Sequence, residues 1–115
     1  MKTFLVIIAA LFSFSAFSQT TMPPDSAKNH IGSTATICGS VKGAFSTKSG
    51  VTFLNFGKSY PDQTFTAVIS DSLSMNVLFN TDSLKGKNVC VTGTIVEYKG
   101  KPEMKISSKD QLKVQ

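Results

Sequence analysis

The sequence contains no arginine, so its positive charge is carried by twelve lysines. Lysine offers a point charge, whereas the planar guanidinium of arginine binds phosphate and guanine in a bidentate manner. The chain therefore lacks the residue type that reads phosphates and guanines most specifically. Its formal net charge is still +5, which favours anionic partners without requiring them.

The chain has a single histidine, His30, and no Cys-x-x-Cys motif. Metal centres need several clustered ligands, and thiol redox proteins use the paired-cysteine motif. We therefore predict no bound metal and no cofactor. His30 lies in the segment Asp25–Gly32, which is typical of one or two helical turns, and a lone histidine there packs or caps more readily than it ligates.

Catalytic patterns are also absent from the sequence. The seven acidic residues are scattered, the serines and threonines show no nucleophile-elbow spacing, and His30 has no partner motif. We predict that the protein is not an enzyme.

Residues 1–18 have the order of a secretory signal peptide. Lys2 precedes the apolar run Phe4–Phe12, and small residues lead to Ser18, after which we predict cleavage. The apolar run is shorter than the ~20 residues that a membrane-spanning helix needs. We predict export to the periplasm or the cell exterior, with no membrane span in the mature protein.

The mature chain is expected to form one small domain. It has eleven lysines against seven acidic residues, a net charge of +4. Residues 19–24 are polar and contain prolines, so we predict a flexible lead with nothing to bury. The domain itself spans residues 25–115 and contains no internal repeat.

Alternating apolar and polar residues predict five strands. The stretch Leu84–Ile106 is typical of two strands joined by a tight turn at Lys99–Pro102, where Gly100 can adopt a positive φ. The earlier strands are predicted at Ser33–Gly43, Val51–Gly57 and Thr64–Ser70.

Strand Val51–Gly57 has two mostly apolar phases. We assign Thr52, Leu54 and Phe56 to the core because this choice keeps Asn55 in water, and it leaves Phe53 on the outside. Residues 44–50 are predicted as a loop that exposes Phe45. Residues 71–79 suit either a continued strand or a short packed segment, and residues 80–86 suit a single helical turn.

The two cysteines each lie out of phase with the core residues of their strands. Ile37 and Val41 set the core phase around Cys38, and Val89 and Val91 set it around Cys90. If these strands are neighbours, both thiols share an outer face and can form a disulfide. The alternatives are two small buried residues or unpaired thiols.

This succession of elements predicts an all-β fold, a five-stranded Greek-key OB-fold barrel. A short helix precedes the first strand, and a short helical or irregular link joins strands three and four. OB-fold barrels bind nucleic acids, sugars and proteins, so the fold alone does not define a ligand.

Several motifs resemble a known group of proteins. The last two strands of nucleic-acid-binding OB domains resemble the run Leu84-x-Gly86-Lys87-x-Val89-x-Val91-x-Gly93-x-Ile95-x-x-Tyr98-x-Gly100-x-Pro102-Glu103-Met104. The segments Ile37-Cys38-Gly39-x-Val41 and Thr52-Phe53-Leu54-Asn55-Phe56-Gly57-Lys58-x-Tyr60-Pro61 look more narrowly like small exported bacterial OB-fold proteins.

The resemblance implies that strands one and four are neighbours, which favours a Cys38–Cys90 disulfide. It also implies a ligand site across strands two and three and the loops beside them. Transferred to this sequence, that site contains a mixture of aromatic, polar and lysine residues: Phe53, Asn55, Lys58, Tyr60, Thr66, Lys42, Lys48, Tyr98, Lys99 and Lys101, with Phe45 in a flanking loop.

Aromatic faces stack bases and lysines follow phosphates, so we expect an exported binding protein for single-stranded nucleic acid. The alternative is an accessory module that docks on another exported protein or on a glycan of the cell envelope. For the aromatic residues, packing at a barrel end remains an equal alternative to ligand binding.

Overall fold

The computed structural model describes residues 20–70 and 81–115. The predicted signal peptide, residues 1–18, lies outside these ranges, and so do residues 71–80. The cleavage after Ser18 and the alternatives for residues 71–79 therefore stay predictions.

Seven strands form within the described residues. They are β1 Thr21–Met22, β2 Thr34–Ser46, β3 Thr52–Phe56, β4 Phe65–Ile69, β5 Asn88–Tyr98, β6 Lys101–Ile106 and β7 Leu112–Val114. Three short 3-10 helices accompany them, at Pro24–Asn29, Thr81–Leu84 and Lys109–Gln111.

Five of the strands close into a barrel. The order is β2-β3-β4-β6-β5, and β5 returns to pair with β2. All neighbouring pairs are antiparallel except β4 and β6, which run parallel. This is the strand order of an OB fold and confirms the predicted architecture.

The core is built from every second residue of the barrel strands. Fully buried side chains include Ile37, Val41, Leu54, Phe56, Phe65, Ile69, Val89, Val91, Ile95, Met104 and Ile106. Phe56 and Phe65 face each other inside the barrel with ring centroids 5.6 Å apart. The core phases predicted for β3 and β5 are therefore confirmed.

The predicted disulfide is also confirmed. Cys38 of β2 lies directly opposite Cys90 of β5, and the two sulfur atoms are bonded at 2.05 Å. Both residues are half-buried, while their neighbours Ile37 and Val91 point into the core. The bond thus ties together the two strands whose pairing closes the barrel.

Part of the predicted flexible lead, residues 19–24, is built into the fold. Thr21 and Met22 pair with β2 as a parallel strand, and Met22 is buried among the core side chains. The prediction that this segment has nothing to bury is therefore wrong. A single apolar side chain among prolines gave no periodicity from which a strand could be recognised.

Glycines allow two close or unusual backbone arrangements. A Cβ on Gly39 would lie 2.6 Å from the ring of Pro24, so the missing side chain lets the first 3-10 helix pack on β2. Lys99 and Gly100 have φ values of 51° and 81° and form a two-residue turn between β5 and β6. This turn has the geometry that matches the twist of an antiparallel hairpin.

Candidate ligand-binding face

The register of the β3–β4 ladder determines which side chains lie on the outer face of these two strands. Opposite residues in a ladder share a face, so Asn55 lies beside Thr66, and Phe53 lies beside Val68. Since Leu54 and Phe56 point into the core, these four side chains point away from it. The predicted outward position of Phe53 is confirmed.

Three polar residues, which we call the polar row, cross this face on adjacent strands. Asn55 of β3 pairs with Thr66 of β4, and Thr66 pairs with Glu103 of β6. The Thr66 hydroxyl donates a hydrogen bond of 3.1 Å to Asn55 Oδ1. Gly43 of β2 lies opposite Asn55 on the other side.

The reason given for the phase of β3 is wrong, although the phase itself is correct. Asn55 is only 7% exposed and Thr66 only 4%. Their hydrogen bond satisfies part of the polar requirement of two side chains in the middle of a sheet, so Asn55 does not need bulk water.

Phe45 and Phe53, the aromatic pair, lie opposite each other on β2 and β3. Their ring centroids are 6.5 Å apart with an interplanar angle of 24°, and Phe45 is 62% exposed. Phe45 was expected in a loop, but β2 continues to Ser46 and makes it a strand residue. Two roughly parallel rings thus form a small apolar platform at one end of the outer face.

The other end of the outer face carries two exposed tyrosines. Tyr60 lies in the β3–β4 loop and is 75% exposed, and Tyr98 ends β5 and is 56% exposed. The Lys99 ammonium lies 5.4 Å from the centre of the Tyr98 ring, a cation–π arrangement. We call Tyr60, Tyr98 and Lys99 the turn end.

The side chain of Lys101 has a structural role in the β3–β4 loop. Its ammonium donates to the carbonyl oxygens of Pro61 and of Gln63, the latter at 3.3 Å. This lysine therefore holds the β3–β4 loop against the start of β6. Because both contacts engage the same ammonium group, Lys101 is less available to a phosphate than the sequence suggested.

The remaining predicted lysines are exposed and divide between the two ends. Lys48 lies in the β2–β3 loop beside the aromatic pair. Lys58 follows β3, and Lys42 occupies the bulge of β2 near Phe56, so both belong to the opposite end. Apart from Asn55 and Thr66, which belong to the polar row, the predicted site residues thus form two groups, one at each end of the outer face. Phe53 and Phe56 are three residues apart, which corresponds to about 10 Å of strand.

Sequence reasoning did not assign a role to Glu103 or Lys105. They occupy alternate positions on β6 and extend the outer face beyond β4. Burial raises the pKa of the Glu103 carboxyl, and the nearby Lys105 ammonium opposes this increase. The alternation of Glu103, Met104 and Lys105 would have placed both charges outside, but not their position beside Thr66.

Within residues 20–70 and 81–115, no three His, Cys, Asp or Glu side chains come together in a group that could hold a metal ion. A search of the same residues finds no helix that is long and apolar enough to cross a membrane.

Comparison of the sequence with protein families and with curated proteins finds no match. The fold, by contrast, is shared with solved structures. One is described as an aspartyl-tRNA synthetase from Leishmania major Friedlin, with 13% identity and a TM-score of 0.56; the match covers 92% of this chain but only 22% of that protein.

Two further structures are OBody proteins bound to hen egg-white lysozyme. OBody AM1L10 has 14% identity and a TM-score of 0.59, and the match covers 88% of this chain and 98% of the OBody. OBody AM2EP06 has 12% identity and a TM-score of 0.52, with 78% and 90% covered. At these identities the similarity establishes the fold alone.

Proposed function

We propose that this protein is an exported, non-catalytic OB-fold module that binds single-stranded nucleic acid across the outer face of β3 and β4. The observation that carries the proposal is the aromatic pair, two nearly parallel rings on the surface at the place where OB folds bind ligands.

Stacking explains why such a site suits single strands. Every base has an aromatic face, and stacking on a protein ring contributes about 1–3 kcal/mol per base with little dependence on sequence. A duplex keeps its bases stacked on one another, so the rings would gain little from it. The exposed tyrosines of the turn end offer a second contact for the same strand.

The charge distribution supports an anionic ligand. Lys48 lies at one end of the outer face, and Lys58 and Lys99 lie at the other. Exposed lysines that neutralise phosphates release counterions, which makes binding weaken as salt rises. The absence of arginine is consistent with binding that is not specific for guanine.

Export rests on two independent features. The segment 1–18 has the pattern of a signal peptide, and the Cys38–Cys90 disulfide is typical of proteins in oxidising compartments. The proposal includes no catalytic step, because the sequence offers no nucleophile with a base and no paired carboxylates at a catalytic spacing.

The proposal predicts that Phe45→Ala and Phe53→Ala each weaken binding of a mixed-sequence single strand of about ten nucleotides. The expected loss is roughly 5- to 150-fold per ring, because each substitution removes one stacking surface worth about 1–3 kcal/mol. Fluorescence anisotropy with DNA and RNA strands in a series of salt concentrations measures the effect.

Val114→Ala is the matched control, since Val114 is an exposed apolar residue on β7, outside the outer face. Its affinity should equal that of the wild type. No binding at low salt, or equal affinities for Phe45→Ala, Phe53→Ala and Val114→Ala, would rule out the proposed site.

A second candidate function is docking on another exported protein or on an envelope glycan. Two domains of the same fold bind a protein, hen egg-white lysozyme, which favours the protein version of this alternative. It predicts a partner that is captured from the exported fraction, is insensitive to salt and does not compete with single-stranded DNA.

A further inference from the structure

We propose that Glu103 gives the site a preference for bases that carry an exocyclic amine over thymine and uracil. This preference rests on the proposed function, since it concerns which bases the outer face accepts. The aromatic pair would hold a base by its ring, and Glu103, the half-buried member of the polar row, would meet the edge of that base or of its neighbour.

The pairing of β6 with its two neighbours fixes the position of Glu103. It lies opposite Thr66 in the parallel β4–β6 ladder and opposite Val96 in the β5–β6 ladder, so its carboxylate points to the outer face. Adjacent strands are separated by about 5 Å, and Glu103 lies two strands away from Asn55. The next row of outward-facing residues on these strands consists of Phe53, Val68 and Lys105.

Asn55 and Thr66 of the polar row are hydrogen-bonded to each other. The Thr66 hydroxyl donates its hydrogen bond to Asn55 Oδ1, so this proton is not available to the Glu103 carboxylate. Among the described residues, no side chain or backbone N–H donates a hydrogen bond to the carboxylate of Glu103. Its carboxylate is half-buried, and the shift of its pKa reflects the resulting loss of hydration.

The edges of the bases differ in the hydrogen-bond donors and acceptors that they present. An ionised carboxylate only accepts hydrogen bonds, and it accepts well from the exocyclic amine of cytosine. Adenine and guanine also carry such an amine. Thymine and uracil instead present carbonyl oxygens on both sides of their single N–H, and these oxygens repel a carboxylate.

Bases rather than phosphates should meet Glu103. If rings of the ligand stack on Phe45 and Phe53, the base edges project along the sheet, and the charged backbone stays towards the exposed lysines of the loops. A carboxylate in the base-contacting part of the surface then selects among bases without repelling the whole strand.

Oligo(dC) and oligo(dT) of equal length test the proposal, because both are pyrimidine strands. We expect the wild type to bind oligo(dC) roughly tenfold more tightly, since a hydrogen bond to a charged acceptor contributes more than one between neutral groups. In Glu103→Gln the ratio should fall to near equality, mainly through tighter binding of oligo(dT).

Glu97→Gln is the control for net charge. Glu97 is the only other glutamate, lies on the neighbouring strand, and pairs with Pro102 in the opposite phase. The substitution Glu97→Gln removes the same charge as Glu103→Gln but leaves the polar row unchanged, so the preference for oligo(dC) should persist. Circular dichroism of both variants shows that the barrel is intact.

Acidification provides a second readout. Thr66 and Val96, which lie directly opposite Glu103, are uncharged, and Lys101 and Lys105 flank it on β6. Glu103 is therefore the acidic group on this part of the face. Because burial raises its pKa, its protonation begins at a higher pH than for a solvated glutamate.

Affinity for oligo(dT) should therefore rise more in the wild type than in Glu103→Gln as the pH falls through the pKa of Glu103. Equal binding of both oligomers by the wild type and Glu103→Gln would overturn the proposed preference and leave the proposed function standing. Failure to bind either oligomer, or any mixed strand, would overturn both.

Discussion

Breaking the Cys38–Cys90 disulfide is expected to lower the free energy of unfolding by about 4 kcal/mol. The two residues are 52 positions apart, so the bond removes much of the conformational entropy of the unfolded chain. A small domain has only about 5–15 kcal/mol of stability in total, so this loss is a large part of it.

The measurement is chemical denaturation of the wild type with and without reductant, together with the double variant Cys38→Ala, Cys90→Ala. The double variant should unfold at the same denaturant concentration in either condition. If the midpoint of the wild type does not change on reduction, the disulfide does not stabilise the closure of β2 on β5.

Phe56→Ala is expected to reduce the free energy of unfolding by about 3–5 kcal/mol, whereas Phe53→Ala on the same strand should cost roughly 1 kcal/mol or less. Phe56 is fully buried against Phe65, so its removal leaves a cavity in the barrel. Phe53 faces outwards and loses mainly its contact with Phe45.

This pair of variants separates the two faces of β3 by stability and by binding. Phe53→Ala should weaken binding of single strands while the barrel stays close to wild-type stability. If Phe53→Ala were as destabilising as Phe56→Ala, then Phe53 would be a packing residue and the aromatic pair would not be a platform for a ligand.

Much of the barrel could be predicted because its strands alternate strictly. Val89, Val91 and Ile95 in β5 mark the core phase without ambiguity, and the same phase places Cys90 on the opposite face. Pairing of β5 with β2 could not be obtained from alternation, because a period of two fixes which face a residue takes but not which strand lies beside it.

The ends of the strands were harder to predict than their centres. Gly43 was taken as the end of the first strand, but it lies at a bulge, and β2 continues through Phe45. A bulge interrupts the alternation by one residue, so the sequence pattern is lost at the point where the strand turns. The aromatic pair was missed for this reason.

The sequence predicted which residue types belong to the candidate site, and the structure shows how these residues are arranged. Side-chain alternation placed Phe53 and Asn55 outside, and the family resemblance added Thr66. The row that Asn55 and Thr66 form with Glu103 depends on the parallel pairing of β4 with β6. Likewise, Lys101 is bound to backbone carbonyls of a loop distant in sequence, which no local pattern indicates.

The most direct test of the central claim is a map of backbone amide chemical shifts during titration with a mixed-sequence single strand of about ten nucleotides. The account predicts the largest changes at Phe45, Phe53, Thr66 and Glu103, with smaller ones at Tyr98 and Lys99. Changes concentrated instead around β1, β7 and the disulfide, or no changes at all, would contradict it.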